Sequence, residues 1–403
     1  MTAHWVAVLL VVAISLAAFD NPGTSDVITW SRWTANAESL GVRAGYAANS
    51  ADYPPFCTFM LVLTASAGDL VGVDRFTAFK ASLLVFLVLT ALAFWIATRD
   101  LLLSVLLYAA LTLDAVGLAY LDVYFAPLLL LAMHALRTGR LMLFSIGYTV
   151  ACLTKWQPII LLPFFVVHLT SMGHLRDLGR LVEARVLRSV VLPALSVVAV
   201  CFACYGVEPA YSFARALRND FLSGNALNSN WILTHALHVG APEQFGPLQD
   251  GLATCVKARD AAVMLPPRLV FCGAYALALL SFMRGQKTFA NLLRFALVAY
   301  LCHVTFNVGV HENHLFAGVL LAFLLWHIDR TFAAKAVGIA LFANLNLVVF
   351  YGVSGIAPAF DRTVVGVDLA LSLAALWTLF FAMLYLPVIR GLGATAAPRS
   401  APP

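Results

Sequence analysis

Apolar runs recur along the whole chain, at about 4–19, 55–72, 77–98, 100–120, 122–136, 141–154, 156–169, 187–206, 267–283, 288–305, 314–328, 334–352 and 364–387. Many approach the roughly 20 residues that a helix rising 1.5 Å per residue needs to cross a bilayer. The pattern predicts an all-α polytopic membrane protein forming one membrane domain over 1–403. The run at 55–72 stands apart. It opens on Tyr53-Pro54-Pro55, holds Gly68, Asp69 and Gly72, and has Asp74 at its edge. Charged groups are costly in hydrocarbon, so this run reads as an interfacial or re-entrant piece, leaving about 12 transmembrane helices.

Basic residues give the spans a direction. With the amino terminus inside and 55–72 not counted, the connectors carrying Arg99, then Arg137 and Arg140, fall in the cytoplasm. So do Arg176, Arg180, Arg185 and Arg188, then Arg284 and Lys287, then Arg330 and Lys335, and finally Arg390. Positive charge gathers on the cytoplasmic side of such proteins. Counting 55–72 as a full span would put every later cluster outside. Two long polar stretches then lie on the other side: a first external loop at 20–76 with interfacial or re-entrant helices, and a second at 207–266. Long loops in a compact protein are usually functional. The first run is short and ends in small residues, as a signal peptide does, but no basic segment precedes it. Gly391 to Pro403, rich in Pro and Ala, predicts a disordered tail.

Composition removes a soluble fold. Of 403 residues, 62% are hydrophobic and 11% charged, against roughly 25% charged in soluble domains. The net charge of +5 is spread over short connectors, so it argues orientation and not a nucleic-acid partner. Cys201 and Cys204 form a C-x-x-C inside an apolar run, where packing is the expected role. Cys57 and Cys255 fall in the two external loops, where a disulfide is chemically permitted. Internal repeats are not evident, which weighs against a transporter built from two related halves.

The ionisable residues at span ends converge on the external side. In Thr24-Ser25-Asp26-Val27-Ile28-Thr29-Trp30-Ser31-Arg32-Trp33, Thr24 or Ser25 would cap a helix whose first turn holds Asp26. Trp30 and Trp33 suit a helix at headgroup level. Asp52 and Tyr53 close the first loop. Lys155, between two apolar runs, must snorkel, pair, or line a wet cavity. Asp122 opens the run after 120 and either caps it or meets substrate. Asp114, deeper in the preceding run, has Lys155 or Arg75 as its candidate partner. His311, Glu312 and His314 share one turn; the two histidines are three apart rather than four, so the zinc-protease spacing is not met. In the second loop, Ser223 to Trp231 mixes hydrogen-bonding and stacking groups suited to a sugar or a lid, or forms an ordinary Asn-rich turn.

These motifs resemble those of the GT-C superfamily of glycosyltransferases, most nearly the dolichyl-phosphate-glucose-dependent glucosyltransferases of N-glycan precursor assembly and their bacterial polyprenyl-phosphate-sugar relatives. The likeness is carried by Ser25-Asp26 with Trp30-Ser31-Arg32-Trp33, by Asp52-Tyr53-Pro54-Pro55, by Lys155 with Gln157, and by Val310-His311-Glu312-Asn313-His314-Leu315. It implies a GT-C-like bundle in which Asp26 is the catalytic base and Lys155 and His311 lie near the donor phosphate. Glu312, His314, Asp122, Asp52, Tyr53 and Arg32 would be further substrate-binding residues, and loop 20–76 would form part of the acceptor groove. The glucosyltransferases have His-Glu-Lys where this chain has His311-Glu312-Asn313-His314, so the donor sugar is left open.

The expected activity is inverting, metal-independent hexosyl transfer from a polyprenyl-phosphate-linked sugar to a glycan or lipid-linked acceptor, with no cofactor and with membrane lipid as solvent. Heavy use of Arg over Lys, the many Ala residues and the lack of an Asn-x-Ser/Thr sequon favour a bacterial inner membrane, with the site facing the periplasm or outside. The alternative is a transporter or flippase of a lipid-linked or polar solute, since ionisable residues at span ends also mark translocation paths. A carrier usually holds them near mid-span on broken helices, whereas here they gather on one face.

Overall fold

A computed structural model describes residues 2–258, 260–358 and 360–390. The chain is 78% helix and divides into two compact units. One comprises 1–159, 184–219 and 312–362; the other comprises 160–183, 220–311 and 363–403. Among the described residues, six helices are long and apolar enough to cross a membrane: Arg75–Thr98, Ala184–Tyr205, Ala261–Arg284, Phe289–Phe306, Arg330–Tyr351 and Leu369–Arg390. Other apolar runs form shorter helices, including Trp5–Phe19, Pro55–Val71, Leu141–Thr154 and Glu312–Ile328. Of the Ala184–Tyr205 window only 11% is buried. A helix that apolar with so little of it covered by protein needs hydrocarbon around it. The predicted tail at 391–403 lies outside the described residues.

The first unit opens with α1 (Thr2–Phe19), α2 (Asp26–Leu40), α3 (Val42–Asn49), α4 (Pro55–Val71), α5 (Arg75–Thr98) and α6 (Leu101–Thr112). Proline sets the start of α4: Pro54 is extended at its N-cap and Pro55 occupies its first turn, where the missing N–H costs nothing. Asp74 caps α5 by accepting from the Thr77 N–H at 3.0 Å, and Asp100 caps α6 through Leu103 N–H at 3.0 Å. After α6 the backbone widens into a π-turn at Leu113–Gly117 and tightens into a 3-10 turn at Leu121–Tyr124. Then follow α7 (Ala126–Arg137) and α8 (Leu141–Thr154). The run at 122–136 therefore does not begin its helix at Asp122. Phe125 is the N-cap of α7 and offers no side-chain cap, and Asp122 sits a turn earlier with its side chain turned to other work.

Gly45 sets how closely α2 and α3 pack. A Cβ there would lie 2.3 Å from the Ala37 Cα and 2.5 Å from the Asn36 carbonyl oxygen, so only glycine permits this crossing. Trp30 and Trp33 face inward, each 4% exposed, and stack edge-on with Tyr53 at 5.2 and 5.6 Å. They pin α2 to the Asp52-Tyr53-Pro54-Pro55 turn and do not form the headgroup-level surface expected of them.

In the second unit, the polar segment before helix Ser229–Gly240 anchors to the end of helix Phe289–Phe306. Asn228 donates to Val304 O at 3.0 Å, Ser229 to Thr305 O at 2.5 Å, and Asn230 to Asn307 O at 2.8 Å. The Asn228 side chain also caps its helix by accepting from Trp231 N–H at 3.0 Å. Trp231 is fully buried. The Asn-rich stretch is thus a structural anchor, and its tryptophan has no face free for a sugar. Cys57 and Cys255 are not joined in a disulfide: Cys57 donates to Thr154 O at 3.0 Å and Cys255 to Asn225 Oδ1 at 2.9 Å.

Candidate active site

Two chain breaks from helix build the site in the first unit. The α8 helix stops at Thr154 because Lys155 turns extended, with φ −146° and ψ 137°, and the chain turns again into a 3-10 helix at Gln157–Leu161. The 3-10 turn after the π-turn swings Asp122 toward the same place. The Lys155 ammonium donates to Asp122 Oδ2 at 3.1 Å and to the Tyr53 hydroxyl at 2.5 Å. Asp122 is fully buried and Lys155 5% exposed. The same Asp122 oxygen accepts from Asn313 Nδ2 at 2.7 Å. Lys155 therefore pairs and does not snorkel, and Asp122 is an ion-pair acceptor and not a helix cap.

Asp114, offered Lys155 or Arg75 by the sequence, pairs with neither: Arg75 bonds Glu38 at 2.7 Å and Asp69 at 3.5 Å. Asp114 lines, with Glu312, Asn313 and Asn344, a small void of about 10 Å³. The Tyr120 hydroxyl donates to Glu312 Oε1. Glu312 and Asn313 reach these partners from a 3-10 turn, Glu312–Leu315, that leads into the helix Phe316–Ile328.

Asp26 stands in the first turn of α2. Neither Ser25 nor Thr24 caps that helix: Ser25 is the N-cap without a side-chain bond, and Thr24 Oγ1 is buried with no partner. Asp26 is half-buried and its carboxylate accepts no hydrogen bond among the described residues. Burial pushes its carboxyl above the usual carboxylate range; the Lys155 ammonium opposes the rise, while the Asp52 and Asp122 carboxylates add to it. Burial first, and then the neighbouring carboxylates of Asp122, Asp26 and Asp52, hold the Tyr53 phenol well above its ordinary value. Tyr53 is thus a neutral hydroxyl that accepts from Lys155 and keeps its own proton to give.

Asp52 and Arg32 are exposed, and His314 is half-buried. His311 belongs to the second unit. Its ring packs edge-on to Phe221 at 5.7 Å and against Gly224, where a Cβ would fall 2.5 Å from Nδ1. The division between units falls between His311 and Glu312. Asp26, Tyr53, Asp122, Lys155, Glu312 and Asn313 therefore form one cluster within the first unit. Sequence reasoning passed over Asn313 as a partner of Asp122, Tyr120 as a partner of Glu312, and the buried Lys80. Only Lys80 carried a readable signal, a charge inside an apolar run. Among the described residues, no group of three or more His, Cys, Asp or Glu side chains could hold a metal ion.

No protein-family profile matches the chain, and no curated protein matches it.

Proposed function

We propose that the chain is an inverting, metal-independent glycosyltransferase of GT-C type, moving a hexose from a polyprenyl-phosphate-linked sugar to a glycan or lipid-linked acceptor on the non-cytoplasmic side. The observation that carries this reading is the state of Asp26. It is a half-buried carboxylate with no hydrogen bond among the described residues, beside a buried ammonium whose own partners are Tyr53 and Asp122. A carboxylate left unsatisfied, with a raised proton affinity, suits a general base whose partner is an incoming hydroxyl.

In this mechanism Asp26 takes the proton of the acceptor hydroxyl as its oxygen attacks the anomeric carbon. The bond from that carbon to the phosphate oxygen breaks, and the polyprenyl phosphate leaves with the bonding pair. The configuration inverts because attack and departure take opposite faces. Negative charge grows on the leaving phosphate. The Lys155 ammonium, engaged with Tyr53 and Asp122, contributes positive potential through the protein and needs no rotamer change to do so. Arg32 and His314, which are more exposed, and Asp52 are the first-unit groups assigned to contact with the substrates.

The deciding experiment offers the purified chain, in detergent, polyprenyl-phosphate glucose, mannose or arabinose with a panel of acceptors. Transfer from one donor is expected, and Asp26→Asn should lower kcat by about 10²–10⁴-fold in a protein that still folds. Unchanged transfer by the folded variant would remove the reading.

A further inference from the structure

Lys80 lies in the second turn of α5 and is fully buried. Its ammonium has three protons, and each meets a main-chain carbonyl, two where α1 ends and one in the π-turn: Ala18 O at 3.3 Å, Asn21 O at 3.0 Å, and Val116 O. Among the described residues no carboxylate pairs with it. Asp20 acts on this charge only from beyond contact distance, so it is held chiefly by dipoles, and the dipoles are at hand. Ala18 is in the last turn of α1, and Val116 is in the last turn of the π-turn Leu113–Gly117. The last carbonyls of a helix lack partners within it and carry the negative end of its dipole. Lys80 thus closes two helix ends at once and, through Asn21, the loop that leaves one of them.

Those two ends lead to the two acids of the site. From α1 the chain runs through Asn21 and Gly23 to Asp26; from the π-turn it runs through Leu118 and Tyr120 to Asp122. The loops are themselves joined, since Thr24 N–H donates to Leu118 O at 3.1 Å. Gly23, at φ +77°, sits so close that a Cβ would lie 2.8 Å from the Ala119 Cβ. We propose that Lys80 is a positioning residue: its ammonium clamps three carbonyls and thereby fixes, relative to each other, the loop that carries Asp26 and the loop that carries Asp122. Its effect on catalysis rests on the glycosyltransferase reading, whereas the clamp does not.

The test compares wild type with Lys80→Met, and with Lys80→Gln, which keeps two donors if the methionine variant fails to fold. Amide hydrogen exchange over 18–26 and 113–122 is measured in the full chain, beside kcat and KM for transfer. Exchange in these two stretches should rise about tenfold or more, with α8 and the rest of α5 retaining their protection. The kcat should fall about 10²-fold, the effect of a displacement near 1 Å, while KM changes little. Unchanged exchange in the two stretches, or a uniform rise throughout the first unit, would overturn the clamp. Local loosening with unaltered kcat would overturn its catalytic role. If wild type transfers no sugar at all, the glycosyltransferase reading fails separately, and the exchange pattern alone decides whether Lys80 fixes the two loops.

Discussion

Asp26 and Lys155 show two ways a charge can be held away from water. Lys155 is paired and Asp26 is not, which gives their substitutions opposite signs. Lys155→Met leaves Asp122 buried with Asn313 as its remaining partner, and removing one member of a buried pair costs about 3–5 kcal/mol. Thermal unfolding in detergent should show that loss, and adding Asp122→Leu should restore much of it, because the double variant leaves no orphaned charge. Asp26→Asn should raise stability at neutral pH. Burial lifts its folded-state affinity for a proton, so the group costs no stability while it is neutral in both states, costs progressively more as pH rises from the unfolded toward the folded value, and carries the full penalty above that. The gain from Asn should shrink as pH falls through the folded value and vanish below about 3.9, the unfolded carboxylate; a gain that persists there would refute the cause assigned. For the same reason, transfer should lose rate on the acid side at a higher pH than an ordinary aspartate gives. Much of this cluster was legible, because Asp26, Tyr53, Asp122 and Lys155 flank apolar runs that leave ionisable groups few places to go. Which acid meets Lys155 was not. Asp114 and Asp122 are eight positions apart, and the choice is made by a π-turn followed by a 3-10 turn that no periodicity announces.

Helix ends and close crossings govern how the acids are presented. The apolar runs located the helices but not their limits: the run at 122–136 begins its α-helix only at Ala126, and the short runs on either side of Lys155 stay separate helical pieces. Proline and aspartate caps account for the limits that were readable, at Pro55, Asp74 and Asp100. The α2–α3 crossing was not readable, since nothing in the sequence says that Gly45 faces Ala37. Gly45→Ala should therefore cost about 1–3 kcal/mol through overpacking, because its Cβ would meet backbone and not a side chain that can turn away. Since α2 carries Asp26, the same variant should lower kcat. Unfolding and transfer measured together check both effects, and a fully stable Gly45→Ala would show that the two helices part without strain.

The first unit has two chemically distinct ends. At one, Arg330 bonds Asp100 at 2.9 Å, and Arg99, Arg137 and Arg140 all lie close enough to act on His134. At the other are Asp26, Asp122 and Lys155. The α8 helix runs from Leu141 to Thr154, with Arg140 just before it and Lys155 just beyond; at 1.5 Å per residue that separates its ends by about 20 Å. Basic connectors far apart in sequence thus share an end of the first unit, and Asp26 and Asp122 take the opposite one. If the basic end is cytoplasmic, single cysteines at Thr138 and Thr331, placed in a chain stripped of its own seven, should react with an impermeant maleimide only from the cytoplasmic face. Cysteine at Ser39, exposed on α2, should react only from the other face. Intact spheroplasts and inside-out vesicles provide the two readings. Labelling of Ser39→Cys and Thr138→Cys from the same face would break the assignment, since a lipid-linked sugar presented on one side cannot be used by a base that opens to the other.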